Sequence, residues 1–175
     1  MTTQSRELFP YVPITEFLSV DIPENSLILC DIDDTVLYQE YVRQGCRMGI
    51  HTVYIVSRAV DPTGFSDMLA RIEASNSVLM FLTARGSSSH NTTKGNLSYV
   101  GIDPQRYAIH YTGSLISKGE YIDRFIDITP YNHVIFIDDQ IGNLETVHHF
   151  VPANKLKQYL CTARHTILPY YKPLV

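Results

Sequence analysis

The chain has no tryptophan and only three cysteines among its 175 residues. Those three, Cys30, Cys46 and Cys161, form no C-x-x-C pair, and none begins a C-x5-R run. Dithiol redox chemistry and a cysteine-phosphatase loop are therefore not indicated, and reduced thiols in core or surface positions are expected. The seven histidines show no H-E-x-x-H spacing, so a histidine zinc site has no signal. No apolar run approaches the ~20 residues that cross a bilayer. Met1 to Pro10 holds one Arg, one Glu and no apolar core segment, unlike a Sec-type signal peptide. Charge is sparse at 18%, with 18 acidic residues against 14 basic ones and a net charge of −4. That balance argues against a life on nucleic acid or anionic membrane. Nine Gly, nine Pro and a 45% hydrophobic share exclude a disordered or collagen-like chain.

What is present suits one domain, 1–175, since domains run ~100–200 residues. Short apolar runs punctuate the chain: Ser26 to Asp31, Val78 to Leu82, a weaker Tyr107 to Tyr111, His133 to Ile137, and Lys157 to Thr162. Between them lie helical patterns. Pro62 to Ala74 carries Phe65, Met68, Leu69 and Ile72, at i, i+3, i+4, i+7 spacing. Thr92 to Tyr99, Ser117 to Phe125 and Gly142 to Phe150 are the other expected helices. Continuous apolar strands alternating with helices predict an α/β fold: a doubly wound, Rossmann-like parallel sheet of about five strands with helices on both faces. The core should span about 26–162. Residues 1–23 read as a partly helical arm packing on it, and Tyr170 to Val175 as a tail or a cut point in a longer chain.

Ligands in such sheets bind beyond the carboxyl ends of the strands. There the sequence places Asp31-Ile32-Asp33-Asp34-Thr35, then Thr83-Ala84-Arg85-Gly86, then Ser117-Lys118-Gly119 ahead of a helix, then Asp138-Asp139-Gln140-Ile141-Gly142-Asn143. Two carboxylate clusters at one sheet edge repel and call for a cation, most simply Mg²⁺ with oxygen ligands. Asp31 can act as a nucleophile and Asp33 as an acid, then a base. The Thr83 hydroxyl and the backbone N–H groups after it suit phosphate oxygens, and Lys118 supplies balancing positive charge. Lys94 is the alternative lysine, less favoured because it follows Thr83 so closely. Arg85 suits either substrate contact or a structural ion pair. Tyr38 and Tyr41 are candidates to line the cleft.

Taken in order, these segments resemble the four motifs of the haloacid dehalogenase (HAD) superfamily: Asp31-x-Asp33-x-Thr35, Thr83, Lys118, and Asp138-Asp139 in the double-aspartate form. The likeness covers roughly residues 26–150. It implies Asp31 as nucleophile and metal ligand, and Asp33 as general acid/base with its backbone carbonyl on the metal. Thr83 and Lys118 would hold phosphate, and Asp138 and Asp139 would complete the Mg²⁺ site directly or through water. Asn143 sits where some members support the metal shell. The TARG, SKGEY and FIDDQIGNLE stretches are also similar to HAD-like proteins of intracellular bacterial pathogens. A soluble, cytoplasmic setting is expected, with a translocated effector in a host cytosol as the second reading.

An Asp two residues past the nucleophile resembles HAD phosphatases and phosphomutases rather than dehalogenases. A response-regulator receiver, the nearest rival, would have its paired acids first and no D-x-D. Only 42 residues separate Thr35 from Val78, so a helix and a β-hairpin flap at about 36–60 fit, with Gly45 and Gly49 as bend candidates. A cap domain does not. Members with an open site often act on macromolecules. The expectation is thus an Mg²⁺-dependent protein phosphatase, phosphotyrosine favoured. The alternatives are a small-molecule phosphatase such as a nucleotidase, and a retired HAD fold serving as a binding module. A monomer is expected.

Overall fold

The structure is a computed structural model. It describes residues 9–47 and 50–163, and the side chains of all of these except 43–54. The expected tail, Gly49, the side chain of Cys46 and the first eight residues lie outside that description.

The chain runs β1 (Val12–Ile14), β2 (Ser26–Cys30), a hairpin of β3 (Leu37–Arg47) and β4 (Ile50–Ala59), then α1 (Pro62–Ala74) and β5 (Val78–Thr83). It continues with α2 (His90–Tyr99), β6 (Ala108–Tyr111), α3 (Lys118–Phe125), β7 (His133–Asp138), α4 (Ile141–Phe150) and β8 (Leu156–Cys161). Six strands form one parallel sheet in the order β1-β8-β7-β2-β5-β6. This is the doubly wound, Rossmann-like arrangement, with one strand more than the apolar runs indicate. The extra strand comes from the arm. Val12 to Ile14 pair with Tyr159 to Cys161, and only a 3₁₀ turn follows at Phe17–Ser19.

Burial follows the strand alternation. In β2, Leu27 and Leu29 point to one side of the sheet and Ile28 and Cys30 to the other, all fully buried. Phe65, Met68 and Ile72 of α1 and Leu97 of α2 cover the Ile28 side. Ile122 of α3 and Leu144 and Val147 of α4 cover the Leu29 side. Each such apolar side chain contributes about 1.5–3 kcal/mol on burial. Asp61 caps α1, taking Gly64 N–H at 3.0 Å on one oxygen and Phe17 N–H at 2.9 Å on the other. Arg71 donates to the carbonyls of Val20 and Phe17 at 2.6 and 2.9 Å. The arm is thus fastened to α1 as well as to β8.

From β2 the chain moves through β5 to β6 on one side, then returns to β7 and β8 on the other. The reversal falls between β2 and β7, the place where open α/β sheets leave a crevice at the carboxyl ends. The β3–β4 hairpin rises from the end of β2 as a separate antiparallel pair, with a register shift between Gln44 and Cys46.

Candidate active site

Parallel register sets the site. Cys30 lies level with Ile137 on β7 and with Phe81 on β5. One step on, Asp31 comes level with Asp138, and its N–H still donates to Ile137 O at 2.9 Å. Thr83 ends β5 on the other side, fully buried, with its hydroxyl accepting from Arg85 N–H at 3.2 Å. Lys118 opens α3, whose N-cap Ser117 accepts from Glu120 N–H.

The Lys118 ammonium is buried and reaches two carboxylates: Asp31 Oδ1, and Asp138 Oδ2 at 2.6 Å. Asp138 is held further by Gln140 N–H at 2.8 Å and by the Asn143 amide, which donates to both of its oxygens at 3.0 and 3.1 Å. Asp31, Asp138 and Asp139 each place an oxygen within 4.8 Å of the other two. Asn143 thus helps to hold the Asp138 carboxylate in place.

The electrostatics follow from this crowding. Burial dominates at Asp31 and drives its carboxyl up, Lys118 opposes, and Asp138 adds to the rise; the result is about 7. Burial and then Asp138 raise Asp139 to about 6. Burial works against the Lys118 ammonium, but Asp31 and Asp138 outweigh it and the net shift is upward. Three carboxylates share one ammonium, and every donor in the set is oxygen. Such a set suits a hard divalent cation rather than a softer metal.

Asp33 stands apart. Its carboxylate is outside the cluster; the resemblance expects Asp33 on a metal through its backbone carbonyl. Both of its oxygens are taken by Arg85, from Nε at 2.7 Å and Nη2 at 2.6 Å. Arg85 is therefore an ion-pair partner of Asp33. Thr93 and Asn96 of α2 take its remaining branch, each at 3.0 Å, and Asn96 reaches Ser57 of the flap at 2.9 Å. Sequence reasoning misses Thr93, Asn96 and Ser57, because polar residues on a helix and a hairpin carry no local sign of a shared partner.

Between the site and the hairpin the chain turns tightly. Asp34 adopts φ 61° and donates its N–H to Leu37 O at 2.7 Å. Asp is among the few residues that tolerate that left-handed region. Tyr38, on β3, is partly buried against the core, whereas Tyr41 is exposed. Cys30 and Cys161 are buried free thiols, and burial raises both. Beside Thr83, the loops after β5 and β6 enclose a groove of about 430 Å³. Among the described residues no charged side chain lines it, and Leu115 at its edge is 94% exposed. Among the described residues, no helix is long and apolar enough to cross a membrane.

Compared with family models, curated proteins and solved structures, the chain matches none.

Proposed function

We propose that the chain is an Mg²⁺-dependent phosphomonoesterase of the HAD type, acting through an aspartyl phosphate on Asp31. One observation carries this reading: Asp31, Asp138 and Asp139 converge with Lys118 at the topological reversal of the sheet. Asp31, Asp138, Asp139 and the main chain of Asp33 would hold the cation. When bound, it neutralises phosphoryl oxygens and lets an anionic nucleophile meet an anionic ester.

The chain's own groups divide the remaining work. Thr83 and Lys118 hold the phosphoryl oxygens. An Asp31 oxygen attacks phosphorus, and the bond to the leaving oxygen breaks with its electron pair going to that oxygen, which takes a proton from Asp33. Water then attacks phosphorus and gives a proton back to Asp33. The pair of the acyl-phosphate O–P bond returns to Asp31, and inorganic phosphate leaves.

The groove beside Thr83 brings no charged side chain, among the described residues, to the further phosphates of a nucleotide, while its exposed Leu115 suits a flanking apolar residue. This supports a phosphoprotein substrate, with phosphotyrosine favoured.

The test is hydrolysis of 4-nitrophenyl phosphate by the purified protein, with Mg²⁺ and with EDTA. Turnover should require the metal, and Asp31→Asn should lower it by on the order of 10³-fold or more. Full activity of that variant would sink the assigned nucleophile. A phosphopeptide and nucleotide panel should favour phosphotyrosine peptides; a preference for nucleotides would overturn the substrate class.

A further inference from the structure

Arg85 uses its Nε and Nη2 on the two oxygens of Asp33 and its Nη1 on Thr93 and Asn96. Its side chain is 13% exposed, against 45% for Asp33. A guanidinium so committed has little left for a substrate phosphate. A two-pronged pair fixes the direction of a carboxylate as well as its place. Each Asp33 oxygen keeps a further lone pair, because a carboxylate offers about four acceptor positions. The exposed edge of Asp33 is thus aimed, with acceptor positions still open on it.

The support behind Arg85 reaches another element. Thr93 is anchored to Ser89 O at 2.9 Å. Asn96 accepts from Arg85 through its oxygen and donates through its nitrogen to Ser57. Ser57 lies on β4 and is buried, on the same hairpin face as Tyr41 and Ile55, which are cross-strand partners and both exposed. A substrate segment resting on that face would press on the strand that touches Asn96.

On the phosphatase reading given above, we infer that Arg85 is a positioning residue that aims Asp33 at the leaving oxygen, and that Asn96 and Ser57 link this aim to the flap. The inference goes beyond the assignment of Asp33, since it names what makes that carboxylate effective and which element controls it.

Leaving-group dependence reads this directly. Phenol, close to the tyrosine pKa of about 10, needs a proton on departure far more than the activated nitrophenol does. Values of kcat/KM with Mg²⁺ for phenyl phosphate and 4-nitrophenyl phosphate should separate the two cases. Arg85→Ala should lose roughly 10–100-fold more on phenyl phosphate, less than the ~10²–10⁴-fold that a positioned acid–base group contributes, because the Asp33 carboxyl itself remains. Arg85→Lys, which cannot form the fork, should recover only part of that excess. Asn96→Ala and Ser57→Ala should show the same bias, smaller. Equal losses on both substrates for Arg85→Ala would reduce Arg85 to a structural role and overturn the inference. Bias in Arg85→Ala without bias in Asn96→Ala or Ser57→Ala would overturn the flap link. Should Arg85→Ala fail to fold, Asn96→Ala decides: a biased loss supports the inference and an even loss overturns it. A wild type inactive on both substrates would instead remove the phosphatase reading itself.

Discussion

Two cations divide most of the site's negative charge between them: Lys118 holds Asp31 and Asp138, and Arg85 holds Asp33. The two differ in burial, and burial decides what each contributes. Lys118 is 2% exposed. Removing one partner of a buried pair leaves an uncompensated charge and costs about 3–5 kcal/mol. Lys118→Met should therefore lose about that much in urea unfolding with EDTA present, and Mg²⁺ should restore part of it. An EDTA-treated variant as stable as wild type would show that the carboxylates do not need the ammonium. By contrast, Arg106 and Glu73 form a surface pair exposed by more than half on both sides, where such pairs are worth ~0–1 kcal/mol. At this scale the sequence was informative about residue types and silent about partners. D-x-D, Thr and D-D each stand just past an apolar run, and Lys118 stands at the start of an expected helix, so their positions were legible. The fate of Arg85 was not, because α2 decides it through Thr93 and Asn96.

The join between α3 and α4 rests on a glycine. A Cβ on Gly119 would land on the main-chain oxygen of Thr146 and beside the Phe150 ring. Backbone on a neighbouring helix cannot yield as a side-chain tip can, so Gly119→Ala must push the helices apart. The expected cost is about 1–3 kcal/mol in urea unfolding. Lys118 is the adjacent residue, so Mg²⁺-dependent activity should fall as well. Unchanged stability and turnover together would show that the helices have room the present packing denies. Other elements were plain in the sequence for a packing reason. SLILC and HVIFI are covered on both faces and so are apolar without interruption, and α1 shows its buried stripe at helical spacing. β1 had no such signal. It has three residues, one of them Pro13, and pairs with the far end of the chain. Proline lacks an N–H and is tolerated there only because the strand is an edge.

For the whole molecule, the crowded carboxylates tie stability to pH and, on the function proposed above, to metal. Asp31 and Asp139 bind their protons more tightly when folded, at about 7 and about 6, than at the ordinary value of 3.8. The folded state thus holds more protons than the unfolded one between those limits. The contribution of these groups to stability is greatest at the acid end and declines as pH rises through that window. Divalent metal binds the ionised form, so the gain in melting temperature with saturating Mg²⁺ should grow from pH 5 to pH 8. A gain independent of pH would separate metal binding from these carboxylates. Asp21 and Asp127 are lowered instead, chiefly by hydrogen bonds from Lys157 and Thr129. They lie at the surface away from the carboxylate cluster, so they should act alike with and without Mg²⁺. The pairing of β1 with β8 bears on the order in which the molecule is made. Val12 to Ile14 are synthesised early, yet their partners, Tyr159 to Cys161, are among the last described residues to leave the ribosome. Until then the growing chain carries an unpaired strand, and β7 lacks the neighbour that separates it from solvent. Contacts so far apart in sequence make folding slow, so the sheet closes only once Cys161 has been made.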